Sequence, residues 1–229
     1  SNLIGRDFFT QSTGYDNLSI AQIQQIASNF ENQNSVAYMG RVNYSYLDKY
    51  ALTLTARKDG FSGFSQGNKY ATFPSAAFAW TASNEKFFAN LNWLDNLKVR
   101  LSYGKNGNQA VGRYQSLARM SSDQYLFDQT TTAIYTASMA NNNLTWETTK
   151  SKNLGIDFSI LTNKVSGSID VYASNTEDLL LRRSLPSTSG FSSVFTNVGE
   201  VQNKGFELSI HTLNLENKKS GLSWESSFL

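Results

Sequence analysis

Beyond a polar opening, Val36, Tyr38, Gly40, Val42, Tyr44 and Tyr46 alternate with Ala37, Met39, Arg41, Asn43 and Ser45. A period of two puts one set on each face of a strand, so one face is apolar and the other can be wet. Asp48-Lys49 breaks the pattern, and Tyr50, Leu52, Leu54 and Ala56 resume it against Ala51, Thr53, Thr55 and Arg57. This predicts a hairpin with a tight turn. The alternation returns with Ala76, Phe78 and Trp80, with Val99, Leu101 and Tyr103, with Leu154, Ile156, Phe158 and Ile160, and with Val165, Gly167, Ile169, Val171 and Ala173. Phe206, Leu208 and Ile210 repeat it, and a last strand begins near Leu222 and Trp224. The pattern predicts an all-β, antiparallel chain of roughly eight strands.

The connections sort into two kinds. Asp48-Lys49, Leu161 to Lys164 and Asn214 to Ser220 are brief, whereas Asp59 to Ala71, Lys105 to Asn143 and Glu177 to Gly199 are long and rich in Ser, Thr, Asn and Gly. Asn84 to Asn96 is intermediate, and its Phe87, Phe88 and Trp93 predict a small amphipathic turn of helix. Short turns on one rim and long loops on the other are the habit of a transmembrane β-barrel, with short periplasmic turns and long extracellular loops. Residues 1–34 are then expected to be an extracellular loop segment, in which Asp16 or Ser19 caps a short helix over Ile20 to Asn29. Residues 35–229 are expected to be barrel strands and loops.

Composition narrows the choice. Aromatic content is 13%, Pro is only 2 and Gly 15, a balance that suits twisted strands. Mean hydropathy is -0.38 and no run approaches the roughly 18 apolar residues of a spanning helix, so any crossing of a membrane rests on strands. Net charge is +2, with basic residues scattered singly, which argues against nucleic acid as a partner. Cys is 0, which excludes disulfides and thiolate metal sites. The opening Ser1-Asn2-Leu3-Ile4-Gly5 lacks the pattern of an export signal. Arg41, Arg57, Lys98, Arg100, Asp157, Asp170 and Glu207 fall on the polar register, which in a barrel faces the lumen.

The segments Gly40-Arg-Val-Asn-Tyr-Ser-Tyr46, Ser102-Tyr-Gly-Lys-Asn-Gly-Asn-Gln109 and Asn143-Leu-Thr-Trp-Glu-Thr-Thr149 resemble SusC/RagA-type TonB-dependent transporters of Bacteroidetes. Ser166-Gly-Ser-Ile-Asp-Val-Tyr172, Glu177-Asp-Leu179 and Asn197-Val-Gly-Glu-Val-Gln-Asn-Lys-Gly-Phe-Glu207 follow in that family's order. The resemblance implies a barrel of about 22 strands, closed by an N-terminal plug domain. It also implies energisation by the TonB complex and capping by a SusD-like surface lipoprotein in the bacterial outer membrane. With no plug domain and no TonB box, this chain is expected to be an internal or late portion of a longer one.

Candidate chemistry is sparse. The single His211 shares a strand face with Glu207, too far along it for a hydrogen-bonded pair, and reads as a lumen-lining residue. Without Cys or a second His there is no dyad, no zinc site and no expected cofactor. Glu177-Asp178 reads as a solvated rim. Gly104-Lys-Asn-Gly107 lacks a nucleotide-loop ending and is expected to flex a strand into a loop. Trp146 suits either sugar stacking or an interfacial aromatic belt. Arg113, Tyr114, Tyr125 and Phe127 are the candidate ligand-binding residues, chosen on loop position and chemistry.

The leading expectation is a non-enzymatic importer of a large nutrient, an oligosaccharide or a peptide, with this segment as wall and outer loops. Two other readings stand beside it: a passive eight-stranded barrel of structural or adhesive role, and a soluble carbohydrate-binding sandwich.

Overall fold

Each alternating segment pairs with the next one along the chain. The computed structural model describes residues 2–8, 21–27, 31–126, 130–217 and 221–229. In chain order the strands are β1 (Asn2–Phe8), β2 (Ala21–Ala27), β3 (Ser35–Tyr46), β4 (Tyr50–Phe61), β5 (Tyr70–Thr81), β6 (Leu94–Asn108) and β7 (Met120–Leu126). They continue as β8 (Thr130–Thr136), β9 (Glu147–Ile160), β10 (Val165–Glu177), β11 (Leu180–Ser184), β12 (Ser193–Asn197), β13 (Glu200–Asn217) and β14 (Leu222–Phe228). Eight of them form one antiparallel sheet in the order β14-β13-β10-β9-β6-β5-β4-β3. No second sheet of comparable size faces it among the described residues, so the sandwich reading fails.

The register explains the faces. Tyr44, Leu52, Phe78, Leu101, Leu154, Val171 and Phe206 lie side by side across seven strands. Tyr46, Tyr50, Trp80, Val99, Ile156, Ile169 and Leu208 form the next row. On the opposite face the matching row is Ser45, Ala51, Ala79, Arg100, Gly155, Asp170 and Glu207. A one-residue slip would exchange the two faces, so this pattern holds the register. The apolar rows stand open: Val42 and Phe206 are each 64% exposed and Leu101 55%. A continuous exposed apolar face of this extent marks a surface that meets lipid or protein.

The meander puts the turn 47–49, the connection 82–93, the turn 161–164 and the link from β13 to β14 at one end of the sheet. The connections 62–69, 109–146 and 178–199 lie at the other, so the alternation of brief and long is a sorting by rim.

Several expectations change. The 1–34 segment was expected to carry a helix over Ile20 to Asn29; instead β2 runs over Ala21–Ala27 and pairs antiparallel with β1. A non-local strand partner outweighs the local helical spacing of Ile23, Ile26 and Ala27, and the caps Asp16 and Ser19 lie outside the described residues. This unit, residues 1–33, is separate from residues 34–229. Gly104-Lys-Asn-Gly107 does not leave its strand, since β6 continues to Asn108. The ring of Phe73 covers Gly107, where a Cβ would meet it at 1.9 Å. The long connections are not bare loops: β7 pairs with β8 and β11 with β12. The amphipathic turn expected over Asn84 to Asn96 is a single 3-10 turn at Ala82–Asn84 followed by further turns.

Candidate functional site

The polar face carries a charge cluster built on three strands. Arg100 Nε and Nη2 donate to the two oxygens of Asp157 at 2.8 Å each, and Nη2 also reaches both oxygens of Asp170 at 3.2 Å. Asp170 is a strand further on, and the guanidinium gets there because Gly155 lies between. A Cβ on Gly155 would sit 2.6 Å from both Arg100 Nη2 and Asp170 Oδ1. Of the charged residues assigned to the lumen register, Arg100, Asp157 and Asp170 thus pair with one another on that face. His211 lies on the same face, its Nδ1 3.1 Å from Ser227 Oγ and its Nε2 3.7 Å from Glu225.

At the long-connection rim, a small core forms on this same side. Phe61, Phe64, Phe73, Val111, Leu144 and Trp146 are buried together, with Ala71, Leu180 and Phe195 packed against them. Trp146 meets Phe73 edge-on at 5.6 Å and Phe61 at 6.5 Å. At 6% exposure its ring is neither a sugar platform nor part of a membrane belt, which corrects both expectations for it. Phe61 and Phe73 occupy the polar register of β4 and β5. Two aromatics out of phase with their strands were the sequence signal for this core.

Hydrogen bonds tie the three long connections to one another. Asn197 Nδ2 donates to Thr145 O at 2.8 Å, and Asn197 Oδ1 accepts from Thr145 N at 2.9 Å. Asn141 Nδ2 donates to Phe195 O at 2.8 Å, Ser116 Oγ to Gly63 O at 3.0 Å, and Ser65 Oγ to Asn142 O. Asn197 opens one of the sequence segments that carried the resemblance, and Thr145 lies in another. A reciprocal amide–backbone pair gives a physical reason for the two to occur together.

Beside this core lies a polar cavity of about 400 Å³, lined by Arg57, Asp59, Asn108, Gln109 and Trp146 among others. Arg57 Nε bonds both Asp59 oxygens at 2.9 and 2.8 Å. The buried Trp146 Nε1 has no hydrogen-bond partner. The lining therefore offers a cation, a carboxylate and two side-chain amides. Among the described residues no group of three or more potential metal ligands exists.

The residues chosen from the sequence are not gathered in this cavity. Arg113 and Tyr114 lie in the turn after β6, Tyr114 at φ 59°, and Tyr125 lies near the end of β7, paired with Thr131 of β8. Phe127 lies outside the described residues. Glu177, expected as solvated rim, pairs with Lys150 at 2.6 Å. At the short-turn rim, Glu85 accepts from Lys49 Nζ at 2.8 Å and Tyr50 Oη at 2.6 Å. These bonds, Lys49's first, hold the Glu85 carboxyl below its ordinary range.

The chain matches the model of the TonB dependent receptor-like β-barrel family over residues 1–228. It is similar to TonB-dependent receptor P3 of Formosa agariphila, 41% identical over 225 residues that cover 97% of this chain and 22% of that receptor. It is also similar to TonB-dependent receptor SusC of Bacteroides thetaiotaomicron, 34% identical over 97% of this chain and 23% of that receptor. Among solved structures, the RagAB peptide importer in its closed-closed state superposes with a TM-score of 0.76 at 28% identity, over 87% of this chain and 22% of that one. The chain spans about a fifth of the length of these relatives.

Proposed function

Because the chain belongs to the TonB-dependent receptor-like β-barrel family of the bacterial outer membrane, we propose that it is a stretch of barrel wall and outer loops in a SusC/RagA-type importer of oligosaccharides or peptides. One observation carries this reading: an apolar outer face and a polar inner face, with the long connections tied together at one rim around a polar cavity. Such a wall needs no catalytic group. It separates lipid from a wet interior and gives cargo a polar mouth to enter.

In this reading the long-connection rim faces the medium and receives a SusD-like surface lipoprotein, and coupling to the TonB complex runs through parts of the protein beyond these residues. Arg57, Asp59, Asn108 and Gln109 at the cavity, and Arg113, Tyr114, Tyr125 and Phe127 from the sequence of the long connection after β6, are the proposed cargo contacts. Paired donors and acceptors suit hydroxyl- or amide-rich cargo equally. β3 and β14, the two sheet edges, pair with further strands of the barrel, because unpaired backbone groups facing hydrocarbon cost several kcal/mol each.

The test is growth of a strain deleted for the whole gene on mixed peptides or mixed oligosaccharides as the limiting nutrient. Loss of growth on one class, restored by the full-length gene only when TonB is present, is the expected result. Undiminished growth on both would contradict it.

A further inference from the structure

On the apolar register, strands β6, β9 and β13 end toward the long-connection rim in lysines. Tyr103, Lys152, Ala173 and Lys204 form one row, and Lys105 pairs with Lys150 in the next. These are outer-face positions, continuous with Leu101, Leu154 and Phe206 below them. Four ammonium groups crowd into two rows of a few strands, and like charges directly opposite on a sheet repel. Glu177 binds Lys150 at 2.6 Å, and Glu200 stands opposite Glu177 one row further toward the rim. Lys152 and Lys204 are exposed and have no acidic partner among the described residues.

A groove of about 500 Å³ runs between these two lysines, lined by Lys152, Ala173 and Lys204 at one end and Leu101, Leu154 and Val171 along its floor. Lys152 and Lys204 are separated only by Ala173, so their backbones stand two strand spacings apart, roughly 10 Å. Alanine leaves open the space between them, and two long side chains can close on one anion there. Below the anion the groove is hydrocarbon.

We propose that this outer-face groove seats a phosphorylated lipid of the outer leaflet, with its headgroup phosphate clamped by Lys152 and Lys204 and an acyl chain lying on Leu101, Leu154 and Val171. The inference rests on the membrane-wall reading above. Charge complementarity selects the occupant: an unneutralised cationic pair at the top of a lipid-facing apolar strip attracts an anionic headgroup, repels a cationic one and gains no such attraction from a neutral one. Lys105 stands in the row behind the clamp, where Lys150 is held by Glu177, and Tyr103 flanks it.

The test uses the full-length protein, extracted from its outer membrane, delipidated and offered lipid A, a diphosphorylated glycolipid, in mixed micelles. Retention is read by native mass spectrometry. The wild type is expected to hold lipid A at least ten-fold more tightly than the Lys152→Gln/Lys204→Gln variant, and than it holds enzymatically dephosphorylated lipid A. Equal retention in either comparison overturns the site. Displacement by millimolar inorganic phosphate would make it a free-anion site and overturn the lipid assignment. Heat-modifiable migration of the same samples separates the two readings. A folded, membrane-extracted wild type that ignores lipid A sinks the groove alone, whereas a protein absent from the membrane fraction sinks both.

Discussion

Replacing Gly155 with alanine puts a methyl group where Arg100 now crosses to Asp170, 2.6 Å from both partners. Two effects compete. Glycine within a strand costs roughly 0.5–1 kcal/mol relative to alanine, so the substitution by itself should stabilise. Against that, the methyl displaces the guanidinium from Asp170, although the two bonds to Asp157 survive. With the Arg100 side chain 36% exposed and Asp170 15%, the lost pair is worth about 0.5–1 kcal/mol, in the range of solvent-accessible ion pairs. The two terms nearly cancel, and Gly155→Ala should leave stability close to unchanged. In an Asp170→Ala background there is no contact left to break. Arg100 is free to lean toward Asp157, and the same substitution should stabilise by about 0.5–1 kcal/mol. The assay is a double-mutant cycle on the full-length protein in phospholipid vesicles, read from urea unfolding. An identical effect of Gly155→Ala in both backgrounds would refute the idea that this glycine exists to let the ion pair pass.

Ile156→Arg places a charge in the centre of an apolar row and should cost about 2–4 kcal/mol at mid-membrane depth, impairing assembly, while Asp157→Asn on the other face should not. Equal heat-modifiability of the two variants would contradict that assignment. An epitope inserted near Ser122 in β7 should be stained on intact cells, and staining only after permeabilisation would invert the orientation. Glu85 titrates lower when folded than unfolded, so its tie to Lys49 stabilises above the ordinary carboxylate range and is lost as pH falls through the folded value. The protection factor of the Thr81 amide, whose N–H bonds Lys49 O, should therefore fall in acid relative to the intrinsic exchange rate, and Glu85→Gln should flatten that dependence.

The wall was legible because its signal is local. Alternation in Val36 to Tyr46 or Leu154 to Ile160 needs no partner to be seen, and neither does the sorting of turns by length. What escaped the sequence depends on neighbours across the sheet. Gly155 gains its role only when Arg100 and Asp170 are brought to either side of it. The lysines 105, 150, 152 and 204 are unremarkable one at a time and become a patch only through register. Asn197 and Thr145 meet across a long sequence gap, so their bond could not be read locally. The β1–β2 pairing failed for the same reason, since helical spacing in one segment says nothing about a strand waiting in another. Arg113, Tyr114 and Tyr125 were chosen on loop position and chemistry, and the structure distributes them along the connection after β6.

The central claim is that alternate residues of these strands face lipid and water. The chain itself contains no cysteine, so single cysteines at positions 152 to 158 of β9 can be introduced into the full-length protein in a background cleared of any others. They would be probed in outer membranes with a membrane-impermeant maleimide and, separately, by fluorescence quenching from lipid-borne spin labels. The account predicts strict alternation. Cysteines replacing Leu154, Ile156 and Phe158 should be quenched by lipid and resist the maleimide, and those replacing Asn153 and Asp157 should do the reverse. Uniform labelling along the strand, or the opposite phase, would contradict it.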